Sequence, residues 1–540
     1  MIRGKNMSTD APVIRRLGIL LPCASIGFLV FYLLKPTVML TAATLFAFGL
    51  LAMFIRWPET GTLTVLFLLY TNIAVLAVRP PGSEGAAAGP RLVVALGAMW
   101  LILGASMIYQ VFVRKEPLLI DRGFMLMIAF LTACLASSLF ARDQQLMGKY
   151  LADYLIEGVA LYFLVINVIR DFATLRRAMW VLLLAGSLMA SFSIMQKVTH
   201  TEQNTYGGFA LMDRGPQYNQ DAQETLQRER AAGKIGSGGE LVGQARSAGP
   251  VDASNQYAGI LVVLLPLAVL RFRTEASRTL RVLAVVAAGL IFGGILLTFS
   301  RGCLLAAVVV FILMSFMGLL KLRHILISMV CVGLLIAILQ PTVVTRMMTL
   351  GRINALFHGS DDGGQTPDGS VILRYELDVA AWQVFLNHPI LGVGPGQFST
   401  YYSVNYVNRI GLQELKKGYQ AHNLYFQALA ETGLIGLACF VSIMASIMLG
   451  LWKERGRSAN SRPELALTAS AFFLSLTAFS MFSIFSHLTD QRYFWLMFAL
   501  SSAATRIVHR CCKEQVADDP SVRRSAAPGL WPEAGDAYSN

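Results

Sequence analysis

Stretches of roughly 20 mostly apolar residues recur along most of this 540-residue chain, and each is long enough to cross a lipid bilayer as a helix. Only 14% of the residues are charged, whereas soluble domains carry about a quarter. A bilayer offers no hydrogen-bond partners to the backbone, so a spanning segment must satisfy its own backbone groups. The sequence therefore predicts an all-α, polytopic transmembrane helical bundle rather than several soluble domains.

About 12–14 helices are expected from this spacing. The predicted spans begin near Leu17, Val38, Thr62, Leu92, Gly123, Tyr154, Leu175, Asn255, Leu280, Gly302, His324, Asn423, Glu464 and Tyr493. They divide the chain into N-terminal helices at 1–195, a first polar loop at 196–254, central helices at 255–340, a second polar loop at 341–422 and C-terminal helices at 423–510. The polar residues 511–540 are expected to form a disordered cytoplasmic tail.

The formal net charge of +13 reflects basic residues placed between the apolar spans. No basic stripe is interleaved with aromatic residues, so a nucleic-acid partner is not indicated. With an even number of spans, the dense basic clusters near Arg114, Arg176, Arg271, Lys321 and Arg455 all fall on one side. By the positive-inside rule that side is cytoplasmic, together with both termini. The two long loops then lie on the outer side, which is the periplasm for a bacterial inner membrane.

The second loop contains one segment with helical periodicity, residues 371–387. Tyr375, Val379, Trp382 and Leu386 repeat on one face, which is suited to lying on the membrane surface or on the bundle. The sequence therefore predicts a surface helix within the second periplasmic loop, and this helix carries Arg374.

His422 stands at the outer start of a predicted span, and Asn423, Gln427 and Glu431 follow at helical spacing on one face. Polar groups inside a membrane are costly and normally face a bundle interior or a wet cavity. A histidine there can act as a general base near neutral pH. The simpler interpretation is an interfacial histidine at a helix end.

Two arginines lie in short polar motifs on the same predicted side. Arg301 lies in Ser300-Arg301-Gly302 between two spans, and Arg246 precedes Asn255 at the start of another. A guanidinium offers paired donors to a phosphate, but a snorkelling arginine also explains Arg301. Ser254 or Asn255 could equally serve only as a helix cap.

A glycine-rich turn at 392–398 follows the surface helix, and it lacks the Lys-Ser/Thr of a nucleotide-binding loop. A tight turn that returns the loop to the bundle is the simpler interpretation.

His487, Asp490 and Arg492 fall in a short outer turn, and Asp153 and Glu157 lie in a predicted span. We do not predict a catalytic role for these five residues.

Arg246, Arg301, Arg374 and His422 all fall on one predicted face, although the topology was deduced from other loops. Several arginines and one base at a membrane surface suit a substrate with a diphosphate head and a lipid tail. No metal-ligand spacing is present, and no cofactor is expected.

These motifs resemble the O-antigen ligase-like membrane proteins, a family of ligases and polymerases. The resemblance rests on His422-Asn423 with Glu431-Thr432-Gly433, on Ser300-Arg301-Gly302, on Arg246 to Asn255 and on Pro389 to Phe398. It implies a metal-independent, inverting glycosyl transfer from undecaprenyl diphosphate at the periplasmic face, used in lipopolysaccharide or exopolysaccharide biosynthesis. It also implies that His422 is the catalytic base, that Arg246, Arg301 and Arg374 bind the diphosphate, and that Asn255, Asn423, Gln427 and Glu431 support them.

Three functions remain open at this point. A ligase would move a finished glycan to lipid A-core or another hydroxyl acceptor, whereas a polymerase would use another lipid-linked repeat unit as the acceptor. A glycolipid transporter would instead need broken helices and a polar path at mid-bilayer. The polar groups gather at one face, which makes the transporter the least favoured of the three.

Overall fold

The computed structural model describes residues 57–78, 90–213, 246–321, 323, 369–405, 420–487 and 491–518. The predicted spans near Leu17, Val38 and His324, most of the first loop and residues 519–540 lie outside these ranges.

The described residues form mainly α-helices, joined by short turns. In chain order they are α1 (Pro58–Thr71), α2 (Ile73–Val78), α3 (Pro90–Ile108), α4 (Arg122–Ser137), α5 (Gln144–Asp153), α6 (Leu161–Val168), α7 (Phe172–Val198), α8 (Ser254–Val262), α9 (Leu265–Thr274), α10 (Arg278–Leu297), α11 (Arg301–Phe316), α12 (Gly369–Asn387), α13 (Phe398–Asn405), α14 (Leu424–Ser458), α15 (Pro463–Phe482) and α16 (Gln491–Asp518). Residues Tyr154–Ala160 form a π-helical turn that joins α5 to α6.

Seven of the described helical segments are long and apolar enough to cross a membrane, and the all-α polytopic bundle is confirmed. Helix α16 lies at its centre, because nearly every residue from Tyr493 to Ala504 is buried. An apolar helix that is covered on all sides is typical of a bundle interior. The neighbouring helices α14 and α15 both pack against it.

Two sequence expectations need correction. The span predicted to begin near Tyr154 begins at Gln144 instead. The predicted disordered tail was placed too early, because α16 continues to Asp518. Cys511 packs against the core, and Arg510 pairs with Glu514 one turn later at 3.0 Å, so both contacts extend the helix.

The first polar loop contains a small antiparallel sheet at its two described ends. Strand β1 (Leu211–Asp213) pairs with β2 (Arg246–Gly249), and Asp213 stands opposite Arg246. The sheet brings the two ends of this long insertion together just before α8 begins at Ser254.

The predicted surface helix 371–387 lies within α12, but its buried face differs from the expected one. Tyr375, Trp382 and Leu386 are 52%, 43% and 54% exposed. The buried residues form a second apolar face with helical spacing and pack against Phe398 and Tyr402: Leu377, Ala380, Ala381 and Val384. Of the two expected positions, the exposed first face suits the membrane surface, although the Trp382 ring still approaches the Phe426 ring of α14 with centroids 6.4 Å apart.

Basic residues from different connections meet at one end of the bundle. They share carboxylates there: Glu59 pairs with Arg114 and Arg177, Glu116 with Arg170 and Arg510, and Glu275 with Arg176 and Arg271. We call this the basic end. Asn255 and Arg271 lie at opposite ends of the α8–α9 span, so the motifs around Asn255 occupy the other end.

Helix α14 is interrupted at Gly433, whose φ of 63° and ψ of −165° belong to a region that is essentially restricted to glycine. A straight α14 packed along α15 would carry Leu424 about 20 Å beyond the end of α15. Instead, the Leu424 N–H donates to the Ser483 carbonyl at 2.9 Å. The interruption therefore turns the short segment 424–432 back over the bundle.

The segment 389–394 fills the interruption. The N–H groups of Val393 and Gly394 donate to the carbonyls of Ala430 and Glu431 at 3.1 and 2.9 Å. In return, the N–H of Leu434 donates to the Pro389 carbonyl at 2.9 Å. These bonds satisfy backbone groups that the broken helix would otherwise leave unpaired.

We predict that Gly433→Ala destabilises the protein strongly. A Cβ at this position would lie 2.3 Å from the Ile390 carbonyl oxygen, and the backbone strain alone costs about 1–3 kcal/mol. The matched control is Gly456→Ala on the same helix, where no atom lies within 4 Å of the added Cβ. Thermal unfolding in detergent should show a lower midpoint only for Gly433→Ala, and equal midpoints for the two variants would contradict the proposed role of the interruption.

Candidate active site

His422 lies in a backbone segment that is fixed from both sides. The Asn423 side chain caps α14 by accepting from the N–H groups of Tyr425 and Phe426 at 3.0 and 3.3 Å. Ala421 is completely buried. Because the Leu424 N–H is bonded to the Ser483 carbonyl, the His422 imidazole lies against the loop that follows α15.

That loop contributes a second imidazole. The ring centroids of His422 and His487 are 5.2 Å apart, with an angle of 60° between the ring planes. The Nδ1 atom of His487 is buried and has no hydrogen-bond partner among the described residues.

Both rings line a cavity of about 170 Å³ at this end of the bundle. The other lining residues come from β1, from the start of α8 and from the loop after α15: Asp213, Ala253, Ser254, Asn255, Gln256 and Ser486. The cavity therefore joins the end of the first polar loop to the start of α14.

Burial and nearby positive charge keep both histidines neutral. Burial lowers the pKa of His422 to about 3, with further lowering by His487 and Arg374. Burial also lowers the pKa of His487 to about 4, again assisted by Arg374. Arg374 is thus close enough to influence both rings, and each imidazole has a free lone pair at pH 7.

Arg246 connects two of the predicted motifs directly. Its Nε donates to the Thr298 carbonyl and its Nη2 donates to the Asn255 Oδ1, both at 2.9 Å. Thr298 belongs to the Thr298-Phe299-Ser300-Arg301 turn, in which Arg301 is the first residue of α11. The structure therefore brings Arg246 and Asn255 together and places the Arg301 turn against them.

Contacts of Ser254 and Asn255 rule out the simple capping explanation. The cap position of α8 is Ala253, which makes no side-chain cap bond. The Ser254 hydroxyl instead donates to Asp213 Oδ2 at 2.7 Å, and Asn255 accepts from Arg246. Both side chains organise the site rather than the helix end.

None of the three predicted arginines is among the residues that line the cavity. Arg246 lies behind Asn255, and the partly buried Arg374 influences the histidines electrostatically. The packing of Gly302, next to Arg301, against Phe485 places Arg301 beside the loop that carries His487. The arginines therefore surround the cavity without opening into it.

The polar stripe Asn423, Gln427 and Glu431 is buried, but it does not face the cavity. Gln427 Nε2 donates to Glu431 Oε1 at 3.2 Å, and the Phe398 N–H approaches the same oxygen at 3.4 Å. The stripe thus holds the glycine-rich turn 392–398 in place. Of the two expected surroundings, the stripe therefore has the protein interior, because the turn that fills the helix interruption covers it.

His487 and Asp213 are the site residues that the sequence analysis did not select. His487 was set aside with its outer turn, and Arg492, which the structure places at the start of α16, lies 3.7 Å from Glu157. His487 falls on the predicted outer side of the membrane, as His422 does, so the same signal could have identified it. No comparable signal was present for Asp213, whose position depends on a strand pairing across a long insertion.

The fold and this site define a polytopic helical membrane protein with a partly buried histidine pair surrounded by arginines. Residues 286–441 match the sequence model of the family described as O-Antigen ligase, so the resemblance to O-antigen ligase-like proteins is confirmed over this segment. The match supports an O-antigen ligase- or polymerase-type membrane glycosyltransferase. It includes Arg301, Arg374 and His422 and excludes Arg246 and Asn255. No curated protein matches the chain.

We predict that the histidine pair makes the fold sensitive to mild acid. An unfolded histidine takes up a proton near pH 6.5, whereas these folded rings resist protonation down to about pH 3 and 4. The unfolded state therefore binds more protons in between, and stability falls as the pH drops from 7 to 5, by on the order of 1–2 kcal/mol per histidine.

Unfolding midpoints in detergent at pH 7 and pH 5 test this, with His422→Asn and His487→Asn compared with wild type. Each variant should lose less stability on acidification than wild type. Identical losses in all three proteins would show that neither ring is held neutral by the fold.

Proposed function

We propose that this protein is an inverting glycosyltransferase of the bacterial inner membrane, which transfers a glycan from undecaprenyl diphosphate to an acceptor hydroxyl at the periplasmic face. The observation that carries the proposal is the neutral, partly buried His422 beside a cavity, with Arg374 near it and Arg246 and Arg301 around it. The O-Antigen ligase match supports the reaction class.

The charge distribution supports the orientation. Basic residues from several connections gather at the end opposite His422, and such clusters remain cytoplasmic in membrane proteins. The cavity would then open to the periplasm, and both termini would lie on the cytoplasmic side. The bilayer supplies the lipid-linked donor from the side, and no nucleic-acid partner is proposed.

In the proposed reaction, the neutral imidazole of His422 accepts the proton of the acceptor hydroxyl. The hydroxyl oxygen forms a bond to the anomeric carbon while the bond from that carbon to the phosphate oxygen breaks. The electron pair leaves with undecaprenyl diphosphate, and Arg246, Arg301 and Arg374 stabilise the negative charge that develops there. Attack from the side opposite the leaving group inverts the anomeric configuration.

Asn255 would act through Arg246 by fixing its guanidinium. Asn423, Gln427 and Glu431 would act through the backbone, because they hold the start of α14 and the turn that fills its interruption. All four support the proposed site without contacting the reacting atoms.

The main test uses purified protein with a synthetic undecaprenyl-diphosphate glycan and a panel of acceptors. We expect His422→Asn to lower transfer by about 10²–10⁴-fold, the usual contribution of a general base. His509→Asn, at the basic end near Glu454, should leave transfer unchanged. The proposal also needs no metal, so a chelator should have no effect.

Normal transfer by correctly inserted His422→Asn would exclude the proposed base. The acceptor panel decides between the two glycosyltransferase types. Transfer to lipid A-core or another finished acceptor identifies a ligase, whereas growth of products one repeat at a time on a lipid-linked unit identifies a polymerase.

The pH dependence of kcat/KM provides a second prediction, since it reports the free enzyme. Because His422 has a pKa of about 3, the acid limb of wild type should lie well below pH 6. Arg374→Gln removes a positive charge that lowers the pKa of both histidines, so its limb should move toward neutral pH, whereas Arg374→Lys should resemble wild type. A limb at pH 6–7 in wild type, or one unmoved by Arg374→Gln, would contradict the assignment.

A further inference from the structure

The groups that line the cavity beside His422 suit a neutral, hydroxyl-rich ligand rather than a diphosphate. Among the described residues, they comprise one carboxylate, two hydroxyls, two amides and two neutral imidazoles, without a lysine or an arginine. A carboxylate accepts hydrogen bonds from sugar hydroxyls but repels a second anion at short range.

We propose that this cavity binds the acceptor sugar and delivers its hydroxyl to His422. The inference rests on the proposed function and adds the substrate class and the residues of one half of the site. Asp213 and His487 are the proposed sugar-binding residues.

The contacts of the fold fix the position of Asp213. The β1–β2 pairing places it opposite Arg246, and the buried Ser254 hydroxyl fixes its Oδ2 at 2.7 Å. The carboxylate therefore lies at the border between the cavity and the arginine side of the site. There it can accept from a sugar hydroxyl and keep the diphosphate of the donor on the side of Arg246.

His487 supplies the second contact. Its ring lies against the ring of His422 and lines the same cavity. A neutral imidazole donates through one ring nitrogen and accepts through the other, so it can pair with a sugar hydroxyl. A sugar bound between Asp213 and His487 would hold a hydroxyl close to His422.

The size of the cavity is compatible with this ligand class. Its volume of about 170 Å³ holds several waters, which the hydroxyls of a bound sugar unit would displace.

The kinetic test separates acceptor from donor. For Asp213→Asn we expect the acceptor KM to rise about 10- to 100-fold, as for loss of a hydrogen bond to a charged group, while the donor KM stays within about twofold. Glu202→Gln is the matched control, because this half-exposed carboxylate pairs with Lys197 outside the cavity. A lower donor KM with an unchanged acceptor KM would show that the cavity receives the diphosphate and would overturn the proposal.

A binding test does not depend on catalysis. Ala253 lines the cavity in extended backbone, so Ala253→Leu should fill the space and Ala253→Ser should preserve it. With saturation-transfer NMR on the detergent-purified full chain, methyl glycosides of glucose, galactose and mannose are the sugar probes and inorganic pyrophosphate is the anion probe. We expect binding of at least one glycoside by wild type and Ala253→Ser, its loss in Ala253→Leu, and equal pyrophosphate binding by all three.

Loss of pyrophosphate binding in Ala253→Leu, or glycoside binding that is absent from wild type or indifferent to residue 253, would overturn the acceptor assignment. The proposed function fails separately, if wild type transfers no glycan or if His422→Asn remains active. If Asp213→Asn does not fold, the Ala253 pair still decides the question.

Discussion

The junction between the glycine-rich turn and the interrupted helix α14 is the constraint on which the candidate site depends. An unpaired backbone group at membrane depth is strongly unfavourable, so a broken helix persists only where other protein groups satisfy it. Here the 389–394 segment donates to and accepts from the helix on both sides of Gly433, and the Ser137 hydroxyl donates to the Glu431 carbonyl at 2.6 Å. Because these hydrogen bonds satisfy the backbone groups at the junction, the segment 424–432 can turn back and place His422 against the loop after α15.

The electrostatics of the site follow from the same placement. Once His422 is brought against His487, partial burial disfavours the charged form of both rings, and Arg374 adds to the effect. The neutral imidazole keeps its lone pair, and its lowered pKa makes it a weak base until a bound diphosphate brings negative charge beside it. The carboxylate of Asp213 lies at the border between the cavity and the arginine side, opposite Arg246 in the β1–β2 pairing.

Much of the fold could be predicted from the sequence, because each apolar segment of bilayer length can be recognised from its own residues. His422 and the arginines were identified since they stand beside such segments on one predicted side. Helical spacing also gave the common face of Gln427 and Glu431, but it could not reveal the neighbour of that face, which comes from a turn about 35 residues earlier in the chain. Asp213 and the contact between Asn255 and Arg246 depend on a strand pairing across more than 30 residues, for which the sequence offers no local signal.

The matched segment 286–441 also divides the candidate site in an informative way. It contains His422, Arg301 and Arg374, the groups proposed to take the proton and to stabilise the leaving diphosphate. Most residues that line the cavity, among them Asp213, Ser254 and His487, come from outside it. Proton transfer and diphosphate binding are common to any transfer from a lipid diphosphate, whereas the acceptor differs between ligases and polymerases. A site assembled from both parts can therefore keep one reaction while the parts outside the matched segment determine which hydroxyl receives the glycan.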